Sequence, residues 1–179
     1  MIGLGQGWTQ IYESAGYSSG QSILENENTG NYIWLVDRDS EFTEIQILDP
    51  AGALLSTYIV DGRLHDLQKT NDGGYISRFT SGISGFPLKI KKMNSIFSVE
   101  WESESILLQN EVYQWGYPFV NEVKETSDGG YLLTGSLPWW DSNTGLIHTR
   151  NMYIRKLDAN GLEEWITTDF GDGHSSGTS

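Results

Sequence analysis

The sequence predicts an all-β chain of about three four-stranded antiparallel units, arranged like blades of a β-propeller, with one extra strand. Three observations predict it. The chain repeats itself with a period of roughly fifty residues. Glycine-rich turns separate short aromatic and β-branched runs. Helical patterning is nearly missing, since no window keeps apolar residues at i, i+3, i+4 and i+7 for more than about two turns. A threefold closed β fold, a β-trefoil or β-prism, also uses three four-stranded units and stands as the alternative.

The repeat is clearest at Lys69-Thr-Asn-Asp-Gly-Gly-Tyr75 and Glu125-Thr-Ser-Asp-Gly-Gly-Tyr131, with a weaker copy at Asn28-Thr-Gly-Asn-Tyr32. Eight residues before each tyrosine stands an aliphatic residue, Leu24, Leu67 or Val123. Leu48 to Ser56, Met93 to Trp101 and Leu157 to Trp165 are each eight residues apart as well. The whole chain, 1–179, is therefore expected to be a single repeat domain with units at about 8–56, 57–101 and 102–165, and a tail at 166–179 that opens a further unit.

Within each unit the first strand lies around Gln21–Glu25 or its equivalents near Asp66 and Glu122. The Asp-Gly-Gly turn supplies residues that accept positive φ, as a tight hairpin needs. The second strand opens on the tyrosine, and the third is an alternating run such as Ile154-Arg-Lys-Leu157. A turn such as Asp158-Ala-Asn-Gly161 leads to a fourth strand anchored by tryptophan. Four antiparallel strands per radial repeat is the blade plan. Leu24, Leu67, Val123, Leu48, Met93, Leu157, Trp101 and Trp165 are the expected core. Lys89, Lys91, Lys92, Arg155 and Lys156 are expected on solvent faces.

The third unit, Thr126 to Trp165, with its Thr-x-x-Gly-Tyr and Lys-Leu-Asp-x-x-Gly-x-x-x-Trp, resembles a propeller-like repeat common in secreted bacterial and archaeal proteins. The second unit departs from it at Ser95-Ile-Phe97, and the first carries Ser56 where tryptophan is expected. The resemblance implies a fold associated with display and binding, at the cell surface or outside the cell, and no particular reaction.

Composition narrows the function. Acids outnumber bases 24 to 11 for a net charge of −13, and Arg38 is the only base before Arg63. Such a surface repels a phosphate backbone, so nucleic acid is not an expected partner. No run approaches the ~18 apolar residues of a membrane span. The opening residues lack the charged and long apolar regions of a signal peptide. The absence of cysteine removes disulfides and thiolate chemistry.

The extra strand follows from the two ends, since Trp8–Tyr12 and Trp165–Phe170 are the same strand of the repeat. An open three-blade arc leaves two apolar faces of ~300 Å² each and an unpaired edge. The expected partner is thus a further copy of the chain or a continuation of it.

The third unit also holds two insertions, expected as loops that carry function. One contains Trp115 and Tyr117; the other contains Trp139, Trp140 and Asp141 and runs on to His148 and Arg150. Aromatic rings beside carboxylate, imidazole and guanidinium groups suit a sugar, so a glycan is the expected ligand. Asp37, Asp39 and Glu41 do not match the EF-hand loop, and Asp158 with Asn160 reads as a turn bonding its own backbone. His65, His148 and His174 show no metal spacing. No nucleophile elbow, phosphate loop or dinucleotide fingerprint is present, so neither cofactor nor metal is implied. Carboxylates abound but none is singled out as catalytic. The sequence therefore points to a non-catalytic binding or display module belonging to a larger propeller or a homo-oligomeric ring. The alternative is a fragment of a propeller-type hydrolase or lyase.

Overall fold

The computed structural model describes residues 18–38, 41–80, 89–103, 119–141 and 146–169, and among them there are strands and turns but no helix. Sheet A is β1 (Ser18–Asn26), β2 (Asn31–Arg38), β3 (Phe42–Leu48) and β4 (Leu54–Asp61), paired antiparallel in chain order. Sheet B has an interrupted first strand, β5 (Arg63–Leu64) and β6 (Gln68–Lys69), both on β7 (Tyr75–Thr80), followed by β8 (Lys89–Met93) and β9 (Val99–Glu102). Sheet C is β10 (Phe119–Glu125), β11 (Tyr131–Asp141), β12 (Leu146–Leu157) and β13 (Glu163–Asp169), again in chain order. The fold is all-β and propeller-like, three four-stranded antiparallel blades. The expected extra strand at Trp8–Tyr12 and the tail beyond Asp169 lie outside the described residues.

The three sheets repeat in detail. Tyr32, Tyr75 and Tyr131 each open the second strand, opposite Glu25, Lys69 and Glu125 on one side and Leu48, Met93 and Leu157 on the other. A register shift recurs just before the third strand ends, at Ile47/Leu48, Lys92/Met93 and Lys156/Leu157. The Asp-Gly-Gly turns behave alike: Gly73 and Gly129 take φ of 83° and 81°, which side chains with a Cβ avoid. Behind them Gly74 and Gly130 have no room for a side chain, because the Met93 and Leu157 carbonyls, with the ends of Lys92 and Lys156 beside them, stand where a Cβ would go.

Those lysines correct the expectation that the cations of the third strand face solvent. Lys91, Lys92, Arg155 and Lys156 are all buried. Lys92 Nζ donates to Asp72 Oδ2 at 2.7 Å and to Glu100 Oε2 at 2.9 Å. Lys156 Nζ sits 3.1 Å from Asp128 Oδ2 and 3.4 Å from Glu164 Oε2. Each ammonium thus ties the turn between strands one and two to strand four, and a long side chain that ends on two carboxylates can be covered without losing its charge. Asp37 departs from its expected turn too: it is a buried residue of β2, with Arg63 Nε 2.7 Å away.

The core forms where consecutive sheets lie face to face. Ile33, Leu35, Ile45 and Val60 of sheet A meet Tyr75, Phe79 and Met93 of sheet B. Ile76 and Ile90, on the other face of sheet B, meet Val123, Tyr131, Leu133 and Leu157 of sheet C. Leu48, Leu67, Val123, Met93 and Leu157 are buried as the repeat requires, and Leu24 and Trp101 partly so. Trp165 is not, being 47% exposed.

At each join one aromatic ring covers the tyrosine. Between sheets B and C it is Trp101, edge-on to Tyr131 with centroids 5.4 Å apart, whose Nε1 donates to Ala159 O at 3.1 Å. Gly161, at φ 80°, makes room for it; a Cβ there would stand 2.5 Å from the indole. Between sheets A and B the tryptophan position holds Ser56, and the glycine position holds Phe97 at φ 62°. The Phe97 ring stacks on Tyr75 with centroids 4.8 Å apart and lies 5.0 Å from Tyr58. The two departures from the repeat are therefore one exchange, in which the ring that strand four fails to supply comes from the turn of the next sheet.

This exchange makes a double-mutant cycle informative. Phe97→Gly removes the ring and relieves the left-handed backbone, for a net loss of about 3 kcal/mol. Ser56→Trp alone crowds the occupied slot and costs about 1–3 kcal/mol. The double variant rebuilds the Trp101–Gly161 arrangement, so in urea denaturation it should exceed the additive expectation by at least about 2 kcal/mol. Additive values would show that the two positions do not share one slot.

Candidate functional site

Among the described residues of sheet C, β10 pairs with β11 as far as Ser136, and β13 pairs with β12 from Met152. β11 and β12 nevertheless stay paired out to Asp141↔Leu146. Residues 137–141 and 146–151 therefore pair only with one another among the described residues, as a two-stranded ribbon about 16 Å long. No strand flanks it among the described residues. The insertion expected as a loop at Pro138–Gly145 is, up to Asp141, strand.

The ribbon brings together five of the seven residues singled out by sequence. Trp139 is directly opposite His148, and Trp140 is opposite Ile147. Between Leu137↔Asn151 and Trp139↔His148 the register shifts, so that Pro138 stands against Thr149 and Arg150. Proline has no N–H to give a ladder, and a bulge is where a strand tolerates it. Arg150 thus sits in a β-bulge, a feature that re-aims a strand. Trp115 and Tyr117, the other two, lie outside the described residues, as do Asp39 and His174.

A second feature was not singled out by sequence. A cleft of about 460 Å³ opens between β4 and the β8–β9 hairpin. Tyr58 and Phe97 contribute rings to its lining, while Ile59, Ile96 and Val99 are exposed at its lips. Its polar end is Lys91, whose Nζ donates to Asp61 O, lies 3.1 Å from Glu102 Oε1 and rests 4.4 Å over the Phe79 ring. The ammonium is thus already paired, and the lining suits an apolar ring better than acid–base chemistry. The signal in the sequence was the lost glycine turn at Ser95-Ile-Phe97.

The remaining polar clusters join sheets. Arg63 and Asp37 link B to A. Arg78 pairs with Asp66 at 3.1 Å and donates to the carbonyls of Val120 and Asn121, linking B to C. Asn71 N donates to Glu125 Oε2 at 2.8 Å across the same join. Hydrogen bonds from Lys92 and Thr70 hold the Asp72 carboxyl down at about 2. Those from Thr126, Gly130 and Lys156 hold Asp128 well below the usual carboxylate range. Burial opposes the charge of Lys92, but Asp72 and Glu100 outweigh it and raise its pKa. Among the described residues no cluster of three or more His, Cys, Asp or Glu side chains could hold a metal ion. No described helix is long and apolar enough to cross a membrane.

No protein-family model matches the chain, and no curated protein matches it in sequence. Among solved structures, a protein of unknown function from Bacteroides caccae is similar, with a TM-score of 0.45 at 12% identity over 89% of this chain and 70% of that one. A variant of the Synechocystis apocarotenoid oxygenase is similar with a TM-score of 0.44 at 15% identity over 81% of this chain. This chain spans 36% of the oxygenase.

His65 gives the region around the interrupted first strand of sheet B a pH signature. Its Nε2 is 2.7 Å from Thr80 Oγ1, and burial, then the charges of Arg63 and Arg78, bring its pKa from 6.5 down to about 4. As pH falls from 6.5 towards 4 the unfolded chain takes up a proton that the folded chain refuses, so stability falls across that window and is level above it. Asp72 adds a second loss, between its ordinary 3.8 and about 2. Thermal melts of His65→Gln should lack the decline between pH 6.5 and 4 that the unsubstituted protein shows. Equal declines in both would remove His65 as its source.

Proposed function

We propose that the protein is a non-catalytic binding module, one arc of a larger propeller or ring, whose ligand-contacting element is the β11–β12 ribbon. The observation that carries this is the pairing of residues 137–141 with 146–151, which brings five of the residues that break the repeat onto one hairpin. A two-stranded ribbon by itself is marginal in water, so one that extends from a four-stranded sheet is suited to gaining its cover from a ligand. Trp139 opposite His148, with Asp141 two residues further along β11, places an aromatic residue beside hydrogen-bonding ones, the combination that suits a pyranose. Carbohydrate is therefore the ligand class, with Arg150 at the bulge as a further donor. The likeness of the third unit to repeats of secreted proteins supports a place at the cell surface or outside the cell. The acidic charge favours neutral or cationic glycans over sulfated ones.

A glycan array probed with the full chain, followed by titration of the best hit, tests the reading. Trp139→Ala and His148→Ala should each weaken binding at least tenfold, while Trp101→Ala should lower the melting temperature and leave affinity per folded molecule unchanged. Absence of any glycan binding by a folded chain would overturn the carbohydrate reading. Turnover of a glycoside that one carboxylate substitution abolishes would replace it with an enzymatic one.

A further inference from the structure

We propose that the cleft between β4 and the β8–β9 hairpin is a binding site for a small aromatic amine. The cleft follows from the exchange at the A–B join. Ser56 on β4 pairs with Ile47 as Trp101 on β9 pairs with Lys92, so β4 has no indole to lay over the sheet that follows. Phe97 reaches into the join from the turn of sheet B, stacks on Tyr75 and lies with its ring centroid 5.0 Å from that of Tyr58. Beside these two rings the walls stand apart. The space of about 460 Å³ between them is of the size that small-molecule sites have. All of its lining residues belong to described strands and turns.

The lining selects the occupant. At the lips Ile59 and Ile96 are 68% and 62% exposed, so the walls offer apolar surface that a flat ring would remove from water. The B–C join shows the kind of ring this fold accepts beside a tyrosine, since there the Trp101 indole packs edge-on to Tyr131. The charge of the ligand is set at the other end of the cleft. Lys91 is buried, and its ammonium is committed to the Asp61 carbonyl and to Glu102 Oε1 at 3.1 Å. Glu102 is 40% exposed and gives Lys91 one oxygen, which leaves Oε2 open. Asp61, also exposed, brings a second carboxylate to the same end. An anion would meet two acids and an ammonium whose bonds are made. A cation would meet the open oxygen of Glu102, and the net charge of −13 attracts it at longer range. A ring against Tyr58 and Phe97, with an ammonium on a short chain reaching Glu102, therefore complements the cleft. The site lies on sheets A and B, apart from the ribbon of sheet C, and stands independently of the carbohydrate reading.

Tryptamine, a cation at neutral pH, and indole-3-acetate, an anion on the same ring, are the probes. Titrated at low salt into the isotope-labelled full chain, tryptamine should shift the amide resonances of residues 58–61 and 96–102 saturably, with a dissociation constant on the order of 0.1–1 mM. Indole-3-acetate should bind at least tenfold more weakly, and high salt should narrow the difference. Glu102→Gln should weaken tryptamine at least fivefold. That variant also takes a partner from a buried lysine, so Ile59→Ser, at an exposed lip, serves as the second. It should keep the melting temperature and weaken tryptamine severalfold through lost ring contact. The proposal is overturned by the absence of saturable shifts up to about 5 mM tryptamine, by shifts confined to other segments, by equal affinities for the amine and the acid, or by an Ile59→Ser chain that folds and binds tryptamine as tightly as before.

Discussion

A four-stranded sheet without helices has two faces to cover, and in this protein one sheet is covered by the next. That constraint organises everything else. It requires that following faces be aliphatic, as with Ile33 and Ile45 in sheet A and Ile76 and Ile90 in sheet B. It also requires one large ring per join to seal the tyrosine that opens the second strand. The ring can come from either side. Trp101 supplies it from the preceding sheet, and Phe97 supplies it from the following one. The left-handed backbone at Phe97 costs about 1–3 kcal/mol, less than burying a phenyl ring between two tyrosines returns.

The second level of order is electrostatic and lies within each sheet. Lys92 and Lys156 reach from the third strand to an Asp-Gly-Gly turn and to a glutamate of the fourth strand, so that all four strands depend on one ammonium. The carboxylates are largely exposed while the lysines are buried, and the pairs therefore act less by Coulomb energy than by satisfying a covered cation. Sheet A has Ile47 in place of that lysine and a turn without the aspartate–glycine pair. The aliphatic residue and the altered turn go together, and the sheet instead joins its neighbour through Asp37 and Arg63.

Strand order, the equivalent tyrosines and most of the core were legible in the sequence, because hairpin turns and spacing are local properties. The cations were misread for a physical reason: alternation assigns Lys92 and Lys156 to a face, but it does not say that a glycine turn and two carboxylates close over each ammonium. Trp165 was misread in the opposite direction. Its place in the repeat is a buried one, and only the absence of a following sheet among the described residues leaves it bare. At the candidate site, Trp139, Trp140, Asp141, His148 and Arg150 were legible as residues that break the repeat. Their arrangement was not, since the register that sets Trp139 opposite His148 depends on the bulge at Thr149 and Arg150. The cleft at Tyr58 and Phe97 required knowing which ring fills the A–B join.

These levels separate the parts that hold the blades together from the part free to vary. The Asp-Gly-Gly turns, the lysines and the ring slots all lie within the sheet or between sheets, where a change at one position demands a partner change, as Ser56 and Phe97 demonstrate. Among the described residues the outer half of the β11–β12 hairpin pairs with neither β10 nor β13. Within it Pro138 stands against a bulge at Thr149 and Arg150. A bulge at that point also increases local twist, which turns the ribbon relative to the sheet below it. The residues that set this unit apart from the other two include two tryptophans with a carboxylate, an imidazole and a guanidinium, and the proposed ligand reading draws on that chemistry.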